Sequence, residues 1–227
     1  MLSLIIPLYN DKPALMKTLS FLRCRFPDAE IIVVDGGSDD GGPEWVEGEP
    51  AVKLIRAHGR GRALQMNLGV AQARGDAFLF LHADTILSVE AVADLHAALG
   101  DRHLQAGVFQ FQLDGNSIAY RFIEWGVRLR NILFQLPYGD QGLFIRRELF
   151  ERIGGFPEIS IMEDVAIVDR IKKIIPLHFF SGAAITSARR WERRGNLKTT
   201  LINWWLIAAY RLGISQARLV EWRRKFA

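Results

Sequence analysis

The sequence predicts an α/β fold built on a mostly parallel central sheet, with helices on both faces, a small antiparallel element and C-terminal helices. Three observations carry this. In the first hundred residues the runs SLII, EIIVVD, VKLIRA and AFLFLHAD are largely apolar without strict alternation, the pattern of strands covered on both faces. Segments with helical apolar spacing separate most of them. Polar residues gather at or just beyond the strand ends, which is where ligands bind in open parallel sheets.

The elements follow in order. Residues 3–6 form a short apolar strand closed by PLYN. Asp11 is placed to cap a helix that has Pro13 in its first turn and runs to Arg25, stopped by Pro27. EIIVVD is a second strand, broken by GGSDDGG, and VKLIRA is a third. HGRGR is a loop, and ALQMNLGVAQAR has helical spacing. AFLFLHAD is a fourth strand, and VEAVADLHAALG a helix with Gly100 as its C-cap. Further on, AGVFQFQLD alternates like an antiparallel or edge strand. Residues 117–136 form an amphipathic helix containing Trp125. GLFIRRELFERIGGF reads as strand, short helix and glycine turn. EDVAIVDRIKKI is a helix that begins on two carboxylates, and residues 174–188 read as paired strands. Residues 196–213 and 215 onward give two closing helices.

Composition bounds the function. The 227 residues are 49% hydrophobic and 24% charged, ordinary for a globular chain with a sizeable core. The expected division is a catalytic domain over 1–195, with a nucleotide-binding half of about 1–100 and an acceptor half of about 101–195. A helical appendage follows over 196–227. The single cysteine, Cys24, excludes an internal disulfide and a Cys-based zinc cluster; a buried structural thiol in a reducing cytoplasm is expected. MLSLIIPLYN lacks a basic leader region and is interrupted by Pro7, so no signal peptide is expected. No run supplies the ~18 apolar residues a membrane-spanning helix needs. The net charge of +4 is uneven: ten basic residues and only Glu192 and Glu221 lie from Thr186 onward. Such a tail invites an anionic partner or is a solvated helical face.

Four places carry candidate chemistry. Asp35 stands at a strand end before glycines that admit a ligand close to the backbone, and its carboxylate can accept from a base N–H or a ribose hydroxyl. The GxGxxG dinucleotide fingerprint is absent after that strand. The loop HGRGR brings Arg60 and Arg62 to a helix N-terminus, an arrangement suited to a diphosphate. FLFLHADT pushes His82 and Asp84 off a strand tip, on one side because neighbours two apart share a face. One carboxylate plus substrate oxygens is what a hard divalent cation prefers. His82 is left open between metal ligand and ribose donor. In IMEDVAIVD, Glu163 and Asp164 begin a helix, where acids are favoured in any protein. A carboxylate there is also the simplest general base for an acceptor hydroxyl.

The series IIPLYN, VVDGGSDD, GRGRALQMNLG, LHADT, GDQGLFIRRELFERIGGF, MED and SARRW, in this order across residues 1–195, resembles a family 2 glycosyltransferase. It is closely similar to the bacterial subgroup carrying LHADT and RRWERRG that is labelled arsenosugar-biosynthesis-associated. The resemblance implies a GT-A fold, a nucleotide-sugar donor, a divalent metal (Mn2+ or Mg2+) and inversion at the anomeric carbon. It implies that Pro7, Tyr9 and Asp35 cradle the nucleoside and that Arg62 approaches the diphosphate. Asp84 takes the metal place of an Asp-X-Asp motif whose first Asp is here His82. Gly139, Asp140, Gln141 and Glu163 line the sugar and acceptor side, and Asp164 is the base. Arg190 and Trp191 echo the Arg-Trp of processive enzymes, but Ser187 stands where Gln is expected, which argues against processive synthesis.

The resulting expectation is an inverting hexosyltransferase-type enzyme in the cytoplasm, with no nucleic-acid partner. Peripheral contact with the inner membrane face through 197–227, a lipid-linked acceptor and a homodimer are further expectations, resting on the apolar LINWWLIAAY and its basic flanks. Two rivals share the sheet. A sugar-1-phosphate nucleotidyltransferase needs a Gly-rich basic loop after the first strand, where PLYNDKP stands instead. A nucleotide- or lipid-binding module with decayed catalysis is the other.

Overall fold

The computed structural model describes residues 1–59, 61–189, 192 and 196–226, the side chains of 196–201 excepted. The expectations for Arg60, Arg190 and Trp191 lie outside the described residues. Eight strands form one sheet in the order β3-β2-β1-β4-β7-β6-β8-β5, with β1 (Leu2–Leu8), β2 (Glu30–Asp35), β3 (Val52–Arg56), β4 (Ala77–Phe80), β5 (Thr85–Leu87), β6 (Ala106–Leu113), β7 (Leu143–Arg146) and β8 (His178–Thr186). The first four strands pair in parallel, as the apolar runs predict. β7 is antiparallel to both β4 and β6, and β8 is parallel to β6 and antiparallel to β5.

Strand alternation sorts the core into two layers. Leu4, Ile6 and Leu8 face α1 (Lys12–Arg25) and α4 (Val89–Gly100), while Ile5, Ile32 and Val34 face α3 (Arg62–Ala71) and α7 (Glu163–Lys172). Phe78, Phe80, Phe150 and Phe156 form an aromatic cluster on the second side. On the first side α4 is fastened to β8. Ser88 accepts from the Ala183 N–H at 3.1 Å and Asp94 accepts from the Gly182 N–H at 2.8 Å. The approach is so close that a Cβ on Gly182 would fall 2.0 Å from the Ala91 nitrogen, so only glycine fits.

Several expectations need correction. Cys24 is exposed: α1 turns its Leu15, Leu19 and Leu22 stripe inward, and position 24 falls outside it. Asp11 precedes α1 but its side chain makes no capping bond; it accepts from Arg189 instead, at 2.8 Å. The stretch 174–188 holds one nine-residue strand, not a pair, because its strand partners β6 and β5 come from elsewhere in the chain. β6 lies inside the sheet between β7 and β8 rather than at an edge. Gly100 is the last residue of α4, and Asp101 follows as its cap. A short helix α2 (Gly42–Glu47) and the strand β5 were not expected from the sequence. The remaining helices are α5 (Ile118–Phe134), α6 (Arg147–Arg152), α8 (Asn196–Arg211) and α9 (Gln216–Phe226).

Candidate active site

The chain winds from β1 outward to β2 and β3, then crosses to the other side of β1 to lay down β4. This reversal opens a crevice between the carboxyl ends of β1 and β4, the place where ligands bind in such sheets. Pro7 and Tyr9 leave β1 there, Tyr9 exposed. Gln65 of α3 holds the crevice wall by donating to the Leu8 and Val34 carbonyls at 2.9 and 2.7 Å.

Asp35 ends β2 and is buried. Its carboxylate accepts from the Gly37 and Ser38 N–H groups at 3.0 and 3.1 Å and from the Ser38 hydroxyl. The aspartate therefore folds its own turn. That turn is tied to the β1 exit by the Ser38 hydroxyl, which accepts from the Asn10 N–H at 3.0 Å, and by Asn10, whose side chain accepts from the Asp39 N–H at 2.9 Å.

The opposite wall is assembled from distant segments. Arg62 opens α3 and pairs with Glu163 at 3.2 Å. Its Nη1 lies 3.1 Å from His82 Nε2. A guanidinium only donates, so Nε2 accepts and the imidazole proton sits on Nδ1. Glu163 begins α7 just after Met162, a residue in the left-handed region at φ 66°. Asp164, next to it, accepts from the Gly139 N–H at 2.8 Å. A Cβ at Gly139 would stand 3.2 Å from His82 Nε2 and 3.4 Å from Asp164 Oδ2. His82, Gly139 and Asp164 thus converge, although 82 and 164 are far apart in sequence. Together with Pro7, Arg62 and Glu163 they line a small cavity of about 20 Å³, room for about one water.

Burial raises the proton affinity of Glu163, Arg62 opposes that rise and Asp164 adds to it. Burial also disfavours the charge on Arg62, but Glu163, Asp164, Asp140 and Asp84 together hold it charged. Beside them, Tyr138 is pushed up to about 12, mainly by burial, although Arg130 stacks 3.4 Å over its ring. Gln141 stands behind the site rather than in it. It is fully buried, donates to the Phe109 carbonyl at 2.8 Å and accepts from Asn131 at 3.1 Å. Asp140 lies between Gly139 and Gln141 in a single 3-10 turn.

Asp84 lies in the turn that joins β4 to β5, partly open, with Thr186 of β8 3.4 Å from its carboxylate. The structure reveals a neighbour that sequence reasoning passed over: Arg189 binds Asp11 bidentately and reaches within 3.9 Å of Asp84. The only hint was its place in SARRW, where it reads as one more charge of a basic tail. Among the described residues no three His, Cys, Asp or Glu side chains gather into a metal cage. One open carboxylate flanked by hydroxyls does fit a hard cation that takes its remaining oxygens from a bound diphosphate.

The description "Glycosyl transferase family 2" matches residues 3–154. The chain belongs to that family. A probable glycosyltransferase of Bacillus subtilis, YdaM, is 27% identical over 89% of this chain and 52% of its own length. A second B. subtilis protein, the uncharacterized glycosyltransferase YfnE, is 28% identical over 76% of this chain and 46% of its own. The chain thus spans about half the length of these curated relatives. Among solved structures, Staphylococcus aureus TarS 1–349 in complex with UDP-GlcNAc superposes with a TM-score of 0.64 at 19% identity, over 82% of this chain and 58% of that one. The mannosyltransferase PcManGT of Pyrobaculum calidifontis, in complex with GDP-Man and Mn2+, gives 0.61 at 21%, over 92% and 64%. These establish the GT-A fold for this member of the family.

Proposed function

We propose that this family 2 member is an inverting glycosyltransferase that moves a sugar from a nucleoside diphosphate donor to an acceptor hydroxyl. The observation that carries the reading is the convergence of Arg62, His82, Gly139 and Asp164 beside Asp84, at the crevice between β1 and β4. The solved neighbours hold UDP-GlcNAc and GDP-Man, and the crevice of this chain is read as a site for the same class of donor. Pro7, Tyr9 and the Asp35 turn receive the nucleoside. Arg62, at the head of α3, and Arg189 face the diphosphate, with the helix dipole adding to their charge. His82 aims the Arg62 guanidinium.

Asp164 removes the acceptor proton as the hydroxyl oxygen attacks the anomeric carbon. The bond from that carbon to the diphosphate oxygen breaks on the opposite face, so configuration inverts, the single-displacement logic of inverting glycosidases with an acceptor in place of water. The Gly139 N–H fixes Asp164 in position. Asp84 would hold a divalent metal together with the donor diphosphate, and that metal would supply Lewis-acid stabilisation of the leaving group.

Turnover of UDP- and GDP-sugars, with Mn2+ or Mg2+ present, tests this. The expected result is nucleoside diphosphate release coupled to a glycoside of inverted anomeric configuration, read by NMR. Retained configuration, or release of nucleoside monophosphate and pyrophosphate chemistry, overturns it.

A further inference from the structure

Helix α5 is built inside out. Ile118, Phe122, Trp125, Leu129, Ile132 and Leu133 fall on one stripe about 100° wide by helical spacing. In a surface helix such a stripe ordinarily faces the core, yet here it faces outward: Ile118, Phe122 and Trp125 are 77%, 70% and 63% exposed. The inward face is held by other residues. Tyr120, Ile123 and Val127 pack on Phe111 and Leu113, and Asn131 bonds Gln141. Exposed Arg128, and exposed Arg121 paired with Glu124 at 2.7 Å, flank one edge of the stripe.

We propose that this face of α5 is a docking surface for an anionic membrane, lying in the headgroup plane with its apolar stripe inserted. Phe122 and Trp125 are rings of the kind that settle at a lipid–water boundary, and flanking arginines complement anionic headgroups. A second copy of the chain is the competing occupant, and the measurements below distinguish it. Insertion needs no more than the stripe itself.

The face differs from the tail, where membrane contact was expected. In the tail, Leu206, Ala209 and Leu219 pack on Ile161 and Trp205 packs against Trp222 at 4.3 Å, while Trp204 and Trp205 stay 52% and 43% exposed. From Phe134 the chain reaches Gly139 in five residues, at most ~18 Å. If the glycosyl-transfer reading holds, an acceptor carried on a lipid therefore meets the site at the surface where α5 rests.

The full chain is mixed with phosphatidylcholine vesicles, with or without phosphatidylglycerol, and sedimented. Binding to the anionic vesicles is expected, about tenfold or more weaker for Phe122→Ser and Trp125→Ser. Arg121→Gln with Arg128→Gln should weaken binding at low salt and have little effect at high salt. Trp204→Ser should stay within about twofold of wild type. Wild-type binding by the α5 variants, or no sedimentation at low salt, overturns the proposal. So does a concentration-dependent dimer that Trp125→Ser dissolves, which assigns the face to a second copy. Nucleoside diphosphate binding without vesicles separates the two readings: a chain that turns over no donor yet docks through α5 overturns the proposed function alone.

Discussion

Glu30 and Glu163 sit at opposite ends of one sheet with side chains 9% and 5% exposed, Glu163 set much deeper in the protein, and their proton affinities shift in opposite directions. Burial pushes both up. At Glu30 that push is overcome by the Arg74 N–H and the Ser3 hydroxyl, each 2.7 Å away, and by the Arg74 guanidinium. At Glu163 burial prevails, because the pairing with Arg62 is opposed by Asp164 next door. The amino end of the sheet is thus a satisfied joint. The carboxyl end crowds like charges into a half-dry pocket, which stabilises little by itself and is what an anionic ligand and a proton transfer require.

Breaking the two ends should therefore cost different things. The largest expected effect is on chemistry: Asp164→Asn keeps shape, loses basicity and should lower transfer by about 10²–10⁴-fold with little change in melting temperature. Turnover within a few-fold of wild type would leave Asp164 as a helix-start acid. Next, Asp84→Ala should abolish the metal-dependent part of nucleoside diphosphate binding, measured by calorimetry with and without Mn2+, while the fold persists.

Arg62→Met strands Glu163. The expected loss in urea unfolding is about 2–3 kcal/mol, below the ~3–5 of fully buried pairs because Arg62 is 31% exposed. Since the folded value of Glu163 lies above the ordinary 4.5, stability is full below that value and declines as pH rises through the raised one. Without Arg62 the rise is steeper, so the deficit should grow from pH 4 towards pH 7. An equal deficit at both would place the loss elsewhere.

The smallest effect sharpens the contrast. Glu30→Gln weakens charge-assisted bonds and should cost about 1–2 kcal/mol at neutral pH. Because the folded value lies below 4.5, this contribution is present above 4.5 and fades as pH falls through the lowered one. Unfolding curves of wild type and variant should therefore converge only below 4.5, whereas the pH-dependent part of the Arg62→Met deficit lies above it.

Much of this was legible before any coordinates. Four parallel strands could be read because strands buried on both faces leave largely apolar runs, and the polar residues after them had to fall along one edge. What escaped was pairing over distance. Nothing local to Arg62 points to Glu163, and Arg189 read as tail charge although it binds Asp11. Helical periodicity revealed that α5 has two faces but not which one meets the core, since Tyr120 and Asn131 find partners inward while Trp125 does not. Cys24 failed similarly, on the face of α1 opposite its buried stripe. The helix α2 hid among glycines, and the three residues of β5 are too few for a pattern.

The glycine at 182 has a mechanical meaning. With α4 pressed to backbone contact on β8 and riveted through Ser88 and Asp94, that seam has no room to slide. Thr186, four residues further along the same strand, backs Asp84, so this side of the crevice is a fixed jaw. Facing it is the start of α3, where the backbone enters through Gly61 at φ 142°, a conformation that glycine adopts at little cost, and sets Arg62 against Glu163 and His82.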